Sequence, residues 1–187
     1  YSFPLESESH PDLIEGAWQV QNRKYTYSNN DVSEIVDFAN DRGVRVMMEM
    51  DMPGHAWSWG VSETYKDIIT SCPNYVDELG YVDDVPLDVT NPQAVQVALD
   101  IWTDILSTGS GTRSDPLVPD KFVHIGGDEV KYGCWNESSS IKAYMIRNGM
   151  SLDDDGFRAL ENEFFSKLSS HLTGSSNSNS NSNSKKE

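Results

Sequence analysis

Apolar positions along the chain fall into four stretches with helical spacing and two with strand character. Val32, Ile35, Val36 and Ala39 repeat at three- and four-residue intervals, the period of one helix face. Asp31 and Glu34 precede and overlap them as an N-terminal cap pair, and Gly43 marks the end of that helix. Val44 to Met50 then runs nearly unbroken in apolar residues and reads as a strand. Residues 52–90 follow as a long loop carrying Trp57, Trp59, Pro73 and Pro86. Loops of this length are commonly functional or carry short helices of their own. Asn91-Pro92 is a helix start, a capping side chain followed by proline at the first helical position. Val95, Ala98, Leu99, Trp102, Ile105 and Leu106 line one face of that helix, and a polar turn region over 107–120 ends it. Phe122 to Ile125 is a second strand. Ile141, Tyr144 and Met145 predict a short helix; Phe157, Leu160, Phe164, Leu168 and Leu172 predict a longer one. Residues 1–30 read mostly as loop. Helix, strand, helix, strand, helix in this order predicts parallel βα units and an α/β fold.

The last stretch, from Thr173 to Ser184, is a run of serine and asparagine. It has nothing with which to fill a core and is expected to be disordered. The division is therefore a folded unit over 1–172 and a Ser/Asn-rich tail or loop over 173–187. The polar tail also lowers the hydrophobic fraction to 37%. No apolar run approaches the roughly 20 residues that cross a bilayer. The formal net charge is −16, from 14 Lys and Arg against 30 Asp and Glu. This argues against nucleic acid as a partner, since phosphate binding needs a basic face. Most of the acidity reads as a solvated surface, and it suits an acidic compartment. Cys72 and Cys134 are the only cysteines, and by number alone two buried thiols are as plausible as one bridge.

The candidate chemistry sits where each strand ends. His124-Ile125-Gly126-Gly127-Asp128-Glu129-Val130 places two glycines and then two adjacent carboxylates after an apolar strand. The glycines remove side chains where a ligand or another backbone can come close. Strand C-terminal ends are where barrel enzymes hold their chemistry, and paired carboxylates suit glycoside hydrolysis. Alone, Gly-Gly-Asp-Glu reads better as a solvated turn. The other strand changes this, because it runs into Asp51-Met52-Pro53-Gly54-His55. Two strands that each deliver acids and a histidine at the same end point to one shared site. His124 reads equally as a core histidine or as a residue lining that site, and Asp51 as a turn cap or as a charge in the site. His10 is expected at the surface, Trp57 and Trp59 as loop anchors, and Trp102 in the core. His55, His124, Asp51 and Asp128 lack metal-ligand spacing such as His-x-x-x-His; no metal or other cofactor is expected.

These motifs resemble the catalytic domain of glycoside hydrolase family 20, the β-N-acetylhexosaminidases. The resemblance rests on Ser2-Phe3-Pro4-Leu5-Glu6-Ser7, Arg42-Gly43-Val44-Arg45-Val46, Asp51-Met52-Pro53-Gly54-His55, Trp57-Ser58-Trp59-Gly60, His124 through Val130, and Cys134-Trp135. It covers residues 1 to about 172 and is nearest the eukaryotic lysosomal type. It implies a (β/α)8 TIM barrel, of which this chain supplies about strands 3 and 4 with their helices. The chain opens at Tyr1 and reads as an internal piece, expected to be inactive alone.

The resemblance also implies roles. Neighbouring residues on a strand point to opposite faces, a poor arrangement for the separate acid and nucleophile of an ordinary retaining pair. In the family the sugar's own 2-acetamido oxygen is the nucleophile. Glu129 is then the general acid, expected to be buried, and Asp128 orients the acetamido N–H. His55 is the acid's polar partner, and Asp51 and His124 border the substrate. Cys72 and Cys134 fall in two loops that lysosomal-type members bridge. Asn136-Glu137-Ser138 is a glycosylation sequon, and Trp135 is expected to pack beside the bridge. The implied partners are glycans, glycolipids or chitin-derived oligosaccharides ending in N-acetylhexosamine, with a dimeric whole enzyme in a lysosomal or secreted location. The competing class is a non-catalytic carbohydrate-binding relative, against which the intact Asp128-Glu129 pair speaks.

Overall fold

A computed structural model of the chain describes residues 2–76, 79–80, 84–106 and 116–174. The expected disorder of the Ser/Asn tract and most of the turn region over 107–120 lie outside those residues. The elements are a two-residue hairpin, β1 (Gln19–Val20) and β2 (Arg23–Lys24), and five helices. The helices are α1 (Asn29–Asn40), α2 (Pro92–Leu106), α3 (Tyr132–Glu137), α4 (Ser139–Arg147) and α5 (Asp154–Leu172). Short 3-10 turns cover Pro11–Gly16, Trp57–Gly60 and Lys66–Ile68.

The two predicted strands lie side by side and parallel, as the alternation of elements requires. Their pairing is one bridge, Glu49 opposite His124. The His124 N–H donates to Met48 O at 2.9 Å, and the Met50 N–H donates to His124 O at 3.2 Å. Neither segment is regular strand over the length expected, 44–50 or 122–125. Val46, Met48, Met50, Val123 and Ile125 pack against the core. Val44, Met47 and Phe122 are more than half exposed, with no third strand beside them among the described residues to extend the ladder. A second parallel bridge joins Leu5 to Tyr27, through Tyr27 N–H to Pro4 O at 2.7 Å and Glu6 N–H to Tyr27 O at 3.0 Å.

Local sequence explains the helices, with one correction. The cap of α1 is not Asp31 with Glu34. Ser28 caps it, its hydroxyl accepting from the Asp31 N–H while the Asp31 side chain accepts from the Ser28 N–H. This is a capping box three residues, almost a full turn, earlier than expected. Asn91 does cap α2, its side-chain oxygen accepting from the Gln93 N–H at 2.9 Å. Asp153 caps α5 through the Gly156 N–H at 3.0 Å. The buried face of α2 is wider than the periodic stripe predicted. Ala94, Val97 and Ile101 join Ala98, Trp102 and Ile105 inside, because α2 packs on α5 while Leu13 and Ile68 from the 3-10 turns and Leu87 from the long loop fill the same core. The β1–β2 hairpin, unexpected in residues 1–30, turns at Gln21 and Asn22 with φ of 49° and 63°. Two successive left-handed residues are what a tight two-residue hairpin needs.

A disulfide between Cys72 and Cys134 ties the long loop to α3. Trp135 is fully buried next to it and donates its indole N–H to Leu87 O at 3.0 Å. Trp102 is core as expected, and Trp59 anchors its loop edge-on against Phe3, ring centres 5.0 Å apart. Trp57 is exposed. His10 is not a surface residue. Its Nδ1 lies 2.9 Å from the Tyr65 hydroxyl and its Nε2 lies 2.9 Å from Asp100 Oδ2, so it joins the N-terminal segment to both the long loop and α2.

Candidate active site

Parallel pairing of Met48–Met50 with His124 delivers both acidic motifs to the same end. The loops that follow interlock through their glycines. A Cβ on Gly126 would lie 2.4 Å from Asp51 Oδ1 and 2.5 Å from Asp51 Cα, and one on Gly54 would lie 2.4 Å from the Asp128 carbonyl oxygen. Only glycine permits backbone approach this close. Gly126 and Gly127 also take φ of 72° and 102°, which glycine adopts without strain.

Asp51 closes the junction. Its Oδ1 accepts the Gly127 N–H at 3.0 Å and the Asp128 N–H at 3.3 Å. The turn it caps is thus in the other motif, far along the chain. His55 sits between carboxylates: its Nε2 is 3.9 Å from Asp51 Oδ2 and 3.9 Å from Asp128 Oδ2, and its Nδ1 is 3.3 Å from Asp84 Oδ1. Ligand atoms of Asp51, His55 and Asp128 lie within 4.8 Å of one another, close enough to share a cation, though one Asp51 oxygen is already committed to backbone N–H groups. The three border a cleft of about 630 Å³ whose walls include Phe3, Leu5, Met48 and Trp59.

Two residues differ from their expected setting. Glu129 is not buried: its side chain is 60% exposed and its Oε2 lies 3.3 Å from Lys131 Nζ. The backbone turns left-handed there, φ 44°, and carries the side chain out beside the lysine. His124 is not a core histidine. It is exposed beside Glu49, Nδ1 to Oε1 3.4 Å, because the bridge places these two residues directly opposite. Left-handed backbone also occurs at His55, φ 51°. For residues with a side chain such conformations are costly and concentrate at functional sites. Asn136 is exposed on α3, two residues from the bridged Cys134.

Sequence reasoning passed over Glu49, Asp84 and Lys131. Glu49 had a signal, a lone acid in an apolar strand. Lys131 follows the carboxylate pair directly in the motif. Asp84 had none, since both its partners are distant in sequence. Its side chain is 3% exposed, and its Oδ2 accepts from Lys131 Nζ at 3.2 Å. Burial works against the Lys131 charge, and hydrogen bonds to Asp84 and Glu129 outweigh it, holding the ammonium well above its ordinary range.

Two parallel segments thus bring carboxylates and a histidine to one end, over a cleft, the place where α/β barrel enzymes hold their chemistry. The family model for the glycosyl hydrolase family 20 catalytic domain matches residues 1–180, and the chain belongs to that family. Beta-hexosaminidase subunit A1 of Dictyostelium discoideum is 36% identical over 161 residues, covering 86% of this chain and 27% of that protein. Beta-hexosaminidase subunit beta of Homo sapiens is 33% identical over 171 residues, covering 89% and 27%. The chain thus spans a little over a quarter of these relatives. Among solved structures, a family 20 exo-β-N-acetylglucosaminidase from Vibrio harveyi superposes with a TM-score of 0.73 at 24% identity, over 92% of this chain and 27% of that one. A chitobiase from Flavobacterium johnsoniae gives 0.70 at 22% identity, over 92% and 24%. At these identities the likeness is one of fold.

Proposed function

We propose that the protein is a glycoside hydrolase that removes terminal non-reducing β-linked N-acetylhexosamine from glycans, glycolipids or chitin-derived oligosaccharides. The observation that carries the reading is the parallel bridge between Glu49 and His124, which brings Asp51 and His55 to the same end as Asp128 and Glu129. Residues 1–172 are the catalytic part, supplying about strands 3 and 4 of an eight-stranded barrel. Membership of a family whose named relatives are β-hexosaminidases supports the substrate class. Among the described residues no helix is long and apolar enough to cross a membrane. The acidic surface and the disulfide suit a lysosomal or secreted setting, and the sequon at Asn136 suits one too. A dimeric whole enzyme is part of the same reading.

In the mechanism, the acetamido oxygen of the sugar attacks the anomeric carbon and the glycosidic bond breaks. Glu129 gives its proton to the leaving oxygen and afterwards takes one from the water that opens the cyclic intermediate. Asp128, on the cleft beside His55, accepts the acetamido N–H and offsets the positive charge that develops. His55 stands beside the carboxylate of Asp128, Nε2 to Oδ2 3.9 Å, and gives it a polar neighbour. Substrate-supplied attack removes the need for a second carboxylate across the bond.

The test compares two aryl glycosides with the complete gene product. An aryl N-acetyl-β-glucosaminide is turned over, and the matching β-glucoside, with no acetamido oxygen, is not. Glu129→Gln lowers turnover of an N-acetyl-β-glucosaminide with an alkyl or sugar leaving group by about 10²–10⁴-fold, the usual worth of a general acid, with little change in binding. Equal turnover of both glycosides would defeat the substrate-assisted mechanism. Binding without turnover would favour the non-catalytic relative.

A further inference from the structure

The buried carboxylate of Asp84 has no part in the mechanism above, yet it reaches toward both halves of the site. It lies 3.3 Å from His55 and 3.2 Å from Lys131. An ionised carboxylate that is 3% exposed is costly unless paired, and Lys131 pairs it. The same ammonium reaches Glu129 Oε2 at 3.3 Å. Lys131 is itself only 20% exposed, against 60% for Glu129. The lysine is thus held from the buried side and presents its charge to a solvent-facing acid.

We infer that Asp84 and Lys131 form a positioning pair, in which the buried carboxylate anchors the lysine and the lysine fixes the carboxyl group of Glu129. Lys131 is a positioning residue, acting through Glu129 rather than on the sugar. This inference rests on the proposed role of Glu129 as general acid. Glu129 stands on a left-handed backbone position with much of its side chain in solvent, so packing does little to define where its carboxyl group points. Two hydrogen-bonding charges in series supply that definition. Arginine in place of Lys131 keeps a charge and has the reach to touch both carboxylates. Methionine keeps the apolar stem and loses the charge.

A leaving-group comparison tests the pair. An activated aryl leaving group needs little help from an acid, whereas an alkyl or sugar leaving group needs all of it. In the complete gene product, Lys131→Met should cut kcat on an alkyl N-acetyl-β-glucosaminide about 10- to 100-fold, the scale of a misplaced catalytic group. The loss on the activated aryl substrate should stay within about threefold, with KM little changed, on that same argument. Lys131→Arg should recover most of the alkyl activity. Asp84→Asn should show the same leaving-group dependence as Lys131→Met. Equal losses on both substrates, or none on either, would overturn the inference, because a merely structural pair does not distinguish leaving groups. Should either single variant fail to fold, the double variant Asp84→Asn with Lys131→Met decides, since it removes both charges of the buried pair and should show the same leaving-group dependence. If Glu129→Gln keeps its activity, the reading of Glu129 as acid fails instead. Loss in Glu129→Gln without leaving-group dependence in Lys131→Met removes only the positioning pair.

Discussion

Single residues decide whether the two motifs can meet. At Gly54 a methyl group would stand 2.4 Å from the Asp128 carbonyl oxygen, a backbone atom that cannot swing aside. Gly54→Ala should therefore push Asp128 away from His55. Overpacking of this kind costs about 1–3 kcal/mol, and the loss of kcat should exceed what the fall in melting temperature explains. Calorimetry alongside steady-state kinetics checks this, and unchanged turnover would show that the close approach is dispensable. At this scale the sequence told only part of the site. That Asp51, His55 and Asp128 come together was legible because each follows an apolar strand, a local pattern. Asp84 was not, because its value comes from His55 and Lys131, which only the fold brings to it. His10 misled for the same reason. A lone polar residue after a loop reads as surface, while its actual partners are Tyr65 and Asp100. The exposure of Glu129 was equally invisible, since a left-handed φ at a glutamate leaves no mark in composition.

Between elements, the parallel pair is clamped at the end away from the site. Arg45, at the start of one segment, holds Asp120, just before the other, through two hydrogen bonds of 2.8 and 2.7 Å. That fork is the strongest geometry an arginine and a carboxylate can make. The Arg45 hydrogen bonds, together with the Phe122 N–H, hold the Asp120 carboxyl down to about 2. A group whose folded value is depressed contributes stability above its unfolded value, and that contribution is lost as pH falls through the folded one. Wild type should therefore melt above Asp120→Asn by a constant margin at neutral pH. The margin should shrink from near 3.8, the unperturbed carboxyl value, and vanish near pH 2. Melting curves across that range test it; a margin that persists at pH 2 would show that the aspartate acts by packing. Helix periodicity was legible for α1, α2, α4 and α5, because each buries one stripe. The hairpin and the 3-10 turns were not, because their shape comes from left-handed residues and cross-chain packing that hydrophobic spacing does not record.

For the molecule as a whole, Val44, Met47, Phe122, Phe38 and Ile35 lie more than two-fifths exposed around the paired segments and α1. Apolar surface gathered in this way favours association, and unpaired strand sides favour it further. The 187 residues expressed alone should self-associate and show no hexosaminidase activity. A monodisperse preparation with a cooperative melt and measurable turnover, seen by light scattering and assay, would contradict this. The disulfide has a further consequence for how the molecule would survive damage. It joins Cys72 to Cys134, so every peptide bond between them lies inside a covalent ring. A protease that cuts the ring between His55 and Asp128, beyond Cys72, leaves His55 on one polypeptide and Asp128 and Glu129 on another, still held as one body. Such a nicked molecule would run as a single band without reductant and as two with it, and could keep its site until the bridge is opened.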